Sequence, residues 1–132
     1  MTGGVWVAGE ALIDLIANNS GEHRVVVGGG GANTAKALAR LGVPTSFIGG
    51  FSTDKYGAVA KDELRKSGVD LSLSFTNDLP TALAIVSLES GRASYEFRLT
   101  NTATFDFARN LLPIGAPSVL HVGTLATIVE PG

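Results

Sequence analysis

Four consecutive glycines, Gly28 to Gly31, stand between three valines and an alanine-rich stretch that begins at Ala32. Neither a strand nor a helix gains from such a run, because glycine loses more backbone freedom on ordering than any other residue. What the run permits is an abrupt corner, with positive φ and close approach of other atoms to the backbone. The flanks agree. His23–Val27 ends in valines and reads as a strand. From Ala32 the period becomes helical: Ala35, Leu38, Ala39 and Leu41 share a face, Lys36 and Arg40 stand four apart, and Gly42 is a natural stop. A strand turning through glycine into a helix is a building unit of an α/β fold. The unpaired N–H groups of the helix's first turn point toward whatever lies at the corner. Spacing alone leaves two readings open, a tight turn that needs small residues and a backbone surface brought close to a ligand.

The rest of the chain fits strands alternating with helices. Val5–Ala8, closed by Gly9, reads as a buried first strand. Ala11–Ala17 stays apolar apart from Asp14, and Asn18–Gly21 is turn chemistry. Thr45–Ile48 reads as a second buried strand. Ser52-Thr53-Asp54 offers caps for a helix through about Lys66, and Ser67-Gly68 ends it. This order implies right-handed βαβ units on a parallel sheet. The middle differs. Thr81–Leu88 reads as a strand, Glu89–Arg92 as a turn, and Ser94–Leu99 alternates, with Tyr95, Phe97 and Leu99 on one side. That is an antiparallel hairpin with one apolar face, which needs something to lie on. Ser118–Val122 reads as a further buried strand. The nine residues after Gly123 are too few for the crossover that a parallel strand requires, so the chain is expected to be a fragment.

Composition narrows the function classes. The 132 residues suffice for one domain, and 45% apolar with 17% charged residues excludes a disordered chain. Ten basic and twelve acidic residues are spread without clusters, so neither a nucleic acid nor a membrane surface is an expected partner. No run reaches the roughly eighteen apolar residues of a membrane helix. The N-terminus has no basic leader region, and a cytoplasmic protein is expected. The absence of cysteine excludes thiol catalysis and thiol-bound metal.

The corner is not the dinucleotide fingerprint, whose sixth place from Gly28 would be glycine and is Asn33. It is not a P-loop, because no Gly-Lys-Ser/Thr follows. The run Gly28-Gly29-x-x-x-Asn33-x-Ala35, closed by Leu41-Gly42, resembles the N-terminal signature of the PfkB (ribokinase) carbohydrate kinases. Four further segments resemble that family in order and spacing. They are Gly9–Asp14, Ile48–Gly57, Pro80–Ala84 with Tyr95-x-Phe97-Arg98, and Leu120–Leu125 with Glu130-Pro131. The resemblance implies an α/β fold, part of a ribokinase-like three-layer sandwich with a small β-sheet lid. Residues 1–132 would be the N-terminal portion of one such domain, with lid strands at about 13–27 and 81–99, the C-terminal ATP-binding portion being absent.

The implied activity is transfer of the ATP γ-phosphoryl group to a sugar hydroxyl, with ATP and Mg²⁺ as cofactors. Residues Asp14, Gly29, Gly30 and Asn33 would hold the sugar hydroxyls, and a carboxylate suits paired hydroxyl donors. Phe97 would cover the ring and Arg98 would reach a polar substituent. Both also read simply as a core aromatic and a solvated charge. Leu12 and Gly30 stand where ribokinases carry asparagine and lysine, which shifts the expected sugar from ribose toward fructose or a relative. Asn101 departs from a glycine common in fructokinase lids. The six aspartates include none after a Gly-Ala-Gly, so the catalytic base is expected beyond residue 132, and no metal site is expected here. The lid sheet is expected to serve as a homodimer surface. His121 reads as a satisfied core histidine. Two other functions fit parts of the sequence, a non-catalytic sugar-binding or dimerising fragment and a dinucleotide-binding oxidoreductase domain. The missing third glycine, and the lack of an acidic residue about 20 positions on, disfavour the latter.

Overall fold

A computed structural model describes residues 3–132. Three parallel strands form the central sheet: β1 (Val5–Ala8) lies between β4 (Thr45–Ile48) and β9 (Val119–Val122). Two helices, α1 (Gly30–Arg40) and α2 (Lys55–Lys66), supply Ala32, Ala35 and Leu64 to a core shared with Val7 and Phe47. Because side chains alternate along a strand, Trp6, Ala8 and Ile48 line the opposite face. There they border an apolar groove of about 420 Å³ with Leu112, Leu120 and Val122.

Both helices end as their glycines suggest. Gly42 and Gly68 take positive φ, of 83° and 92°. The N–H of Gly42 then reaches the Ala39 carbonyl and that of Val43 the Leu38 carbonyl. Gly68 and Val69 repeat this geometry on Arg65 and Leu64. These are Schellman closures, which satisfy carbonyls that a helix end would otherwise leave free.

The second sheet has four strands, in the order β3 (His23–Gly28), β2 (Leu12–Ala17), β7 (Leu83–Glu89), β8 (Arg92–Arg98). β7 and β8 are joined by Ser90 and Gly91, both at positive φ (51° and 77°), as a two-residue hairpin turn matching the strand twist demands. β2 pairs parallel with β7, and this pairing anchors the hairpin to the body. A short parallel pair, β5 (Gly50–Ser52) with β6 (Phe75–Asn77), was not expected from the sequence. Its strands are too short to show a period.

Two burial expectations are corrected. The apolar face of the hairpin is uncovered, with Tyr95 and Phe97 62% and 58% exposed and their rings stacked 6.3 Å apart. The hairpin gains its support from backbone pairing with β2, so that face needs no cover. β9 is apolar but not buried: Val119, Leu120 and Val122 are all more than half exposed. Among the described residues it is an edge strand, bonded to β1 alone.

Candidate functional site

The site lies where the chain leaves the central sheet for the four-stranded one. In open α/β sheets ligands bind beyond the carboxyl ends of the parallel strands. Here β1 ends at Ala8, β9 at Val122, and α1 begins at Gly30.

Asp14 sits in mid-strand on β2, half-buried, opposite Val26 on β3 and Ala84 on β7. Gly28 makes room for it, because a side chain at Gly28 would occupy the place of Asp14 Oδ2. Burial is all that acts on this carboxyl, and it holds the group above the ordinary carboxylate range. Ala84 in turn opposes Phe97 on β8, so Asp14, Ala84 and Phe97 form one cross-strand row. Two strand spacings separate Asp14 from Phe97, about 10 Å. The next residue, Arg98, falls on the other face, opposite Leu83, and pairs with Glu96 at 2.9 Å.

Gly29 precedes α1 with φ 101° and no side chain to cap the helix. Asn33 is exposed in the first turn, its N–H bonded to the Gly29 carbonyl at 2.9 Å. The structure therefore brings Asp14, Gly29, Gly30 and Asn33 to one corner, with Phe97 on the same sheet face as Asp14. Arg98 stands apart from them.

The glycines also have an internal reason. A Cβ on Gly29 would stand 2.5 Å from the Glu10 carbonyl oxygen, and one on Gly30 would meet the Thr124 side chain. Glu10 itself is the residue that sequence reasoning passed over. It is fully buried, and its carboxylate accepts hydrogen bonds from Gly30 N (2.8 Å), Thr124 N (3.0 Å), Thr124 Oγ1 (2.9 Å) and Ala126 N (3.0 Å). Burial pushes this carboxyl up, but the donors of Ala126, Thr124 and Gly30 outweigh it and hold the group below its ordinary range. A glutamate inside the apolar run from Val5 to Ala17 was the only signal available.

Asp54, expected as a cap, accepts from Gly57 N at 2.8 Å and also from Thr81 N and Oγ1 at 2.9 and 2.6 Å. It thereby ties α2 to the entry of β7. Burial opposes its ionisation too, and the Thr81, Gly57 and Ser52 bonds again lower it. His121 departs from expectation: its Nε2 is buried without a hydrogen-bond partner among the described residues. It opposes Val7 in the row facing the core, where the neighbours are apolar.

These shifts predict acid sensitivity. Glu10 and Asp54 have folded-state values below their unfolded ones, so their contribution is complete above the unfolded range of about 4. It is lost as pH falls toward the folded values, because the unfolded chain binds protons first. Asp14, shifted upward, acts in the opposite sense. Melting temperature is expected to fall steeply between about pH 5 and 3. Asp54→Asn should start lower and fall less; parallel slopes would exclude Asp54 as a source.

Among the described residues, no three Asp, Glu, His or Cys side chains converge to hold a metal. No helix there is long and apolar enough to cross a membrane.

The pattern of the pfkB family carbohydrate kinases matches residues 4–131, nearly the whole chain. The chain belongs to this family. Similar proteins include a fructokinase of Rhizobium leguminosarum bv. trifolii, 37% identical over 93% of the pfkB chain and 40% of the relative. A fructokinase of Salmonella typhimurium is 32% identical over 99% of this chain and 44% of its own length. The pfkB chain thus spans about two fifths of the curated relatives it matches. Among solved structures, apo fructokinase from Vibrio cholerae O395 superposes with a TM-score of 0.89 at 27% identity, over 99% of this chain and 46% of that one. The same enzyme with fructose, ADP and calcium ion bound gives 0.82 at 28%, over 96% and 42%. The fold is therefore ribokinase-like.

Proposed function

We propose that this chain is the sugar-holding N-terminal portion and lid of an ATP-dependent sugar kinase, with fructose or a close relative as acceptor. The observation that carries the reading is Asp14. Its carboxylate is half-buried, has no cation partner among the described residues, and shares a sheet face with the exposed ring of Phe97. A partly desolvated carboxylate without donors of its own is prepared to accept hydrogen bonds from adjacent sugar hydroxyls. The Gly29–Gly30 backbone and Asn33 complete the polar side, and Phe97 covers the ring face. Arg98, on the opposite face, would reach the sugar only after the lid moves.

In this reading the chain binds and orients the acceptor hydroxyl and excludes water, which competes as phosphoryl acceptor. ATP binds largely to a downstream portion that also supplies the base. Mg²⁺ would enter with the ATP phosphates, at sites we assign mostly outside this chain. The use of ATP as donor supports the cytoplasmic location we assign to the reaction. The outer edge of β8, which pairs with β7 alone among the described residues, is the dimer surface we assign to the lid.

The test is sugar-dependent ADP release by the full-length protein, with fructose, ribose and glucose as acceptors. Release with fructose and none with ribose is the expected result. Absence of turnover with every sugar, in protein that melts cooperatively, would sink the reading.

A further inference from the structure

Glu10 is fully buried, so it touches no sugar, yet two distant segments converge on it. It lies in the connection Gly9–Ala11 that carries the chain from β1 in the central sheet to β2 in the lid. Its carboxylate takes Gly30 N at the start of α1, and its carbonyl oxygen takes Ala32 N at 3.0 Å. The same carboxylate takes Thr124 N, Thr124 Oγ1 and Ala126 N in the loop after β9. The ion pairs among the described residues, Lys36–Glu63, Lys66–Asp62 and Arg98–Glu96, all lie elsewhere. Glu10 is balanced by N–H and O–H donors and by the positive end of α1 rather than by a cation.

We infer that Glu10 is a positioning residue for the sugar site: its buried carboxylate staples the Gly29–Gly30 corner to the Thr124–Ala126 loop and so sets where the corner's backbone faces the sugar. The inference deepens the proposed function and rests on it. The chemistry requires an anion. All four groups aimed at the side chain are donors, so an amide of the same shape would turn its own N–H₂ against N–H groups and leave some of them unpaired. Aspartate is one methylene shorter and cannot span both segments. Thr124 is fixed by the same staple, and its side chain stands where a Cβ on Gly30 would go. Loosening the staple therefore frees the corner on both sides.

The experiment compares Glu10→Gln with Leu64→Ala, a core truncation on α2 away from the staple, in the full-length protein. Each is measured for fructose affinity, ATP affinity and amide hydrogen exchange below its melting range. Glu10→Gln is expected to raise the fructose Kd at least tenfold, leave ATP affinity within twofold, and deprotect Gly30, Thr124 and Ala126 selectively. Leu64→Ala should lose stability while keeping fructose affinity. Overturning results are wild-type fructose affinity in Glu10→Gln, an equal loss for both ligands, or unchanged protection at those amides. If the wild-type protein binds no sugar, the proposed function fails on its own. The exchange measurement then decides the staple: selective deprotection supports it and uniform protection overturns it.

Discussion

Asp14→Ala is expected to leave the full-length protein as stable as before, or slightly more so, while weakening fructose binding by about 10- to 150-fold. The stability half follows from the state of the carboxyl. Burial raises it and no donor among the described residues offsets that cost, so removing the group removes a penalty. Alanine in a strand costs less than about 1 kcal/mol in return. The affinity half follows from the sugar hydroxyls, since a hydrogen bond to a charged group contributes about 1.5–3 kcal/mol, and each 1.4 kcal/mol is about tenfold. ATP affinity should barely change. A paired thermal melt and sugar titration on one preparation reads both halves. Unchanged fructose affinity, or an equal loss for ATP, would return Asp14 to an ordinary strand residue. A site that is stabilised when its key group is removed is a recognisable sign of function, because stability was given up there for binding.

Gly29→Ala should behave in the opposite way and lower stability by about 2–3 kcal/mol, the upper part of the range of about 1–3 kcal/mol for an unfavourable backbone conformation, because a steric clash is added to the strain. At φ 101° a side chain is strained whatever the surrounding space, and the added Cβ would press on the Glu10 carbonyl at 2.5 Å. Gly30→Ala is milder by comparison. Its φ is not positive and its new neighbour is the Thr124 side chain, which can rotate away at the loss of its bond to the Glu10 carboxylate, about 1.5 kcal/mol because three other donors remain on that group. Urea melts of the two variants would separate the glycines. Equal stabilities would mean that the corner relaxes freely, and the account of Gly29 as a backbone requirement would fail.

The strand, glycine corner and helix between His23 and Gly42 were legible because each depends on neighbours close in sequence. Valines favour extended backbone, glycine permits the corner, alanine and leucine repeat with helical period, and Gly42 closes the helix by bonds reaching only a few residues back. The Asp54 cap and the Ser90-Gly91 turn belong to the same class. Period also placed Asp14 in a strand and Tyr95 with Phe97 on one face. What only the tertiary structure decided is which groups meet across long stretches of chain. Glu10 finds its donors 20, 114 and 116 residues away, and no local pattern encodes that. Arg98 stands away from Asp14 because the β7–β8 register alternates side chains between faces, a matter of pairing and not of composition. β9 reads as buried because its residues are apolar, yet burial is a property of neighbours, and an edge strand bonded to β1 alone has too few. Backbone conformation answers to local chemistry; burial and hydrogen-bond partnership answer to the whole fold.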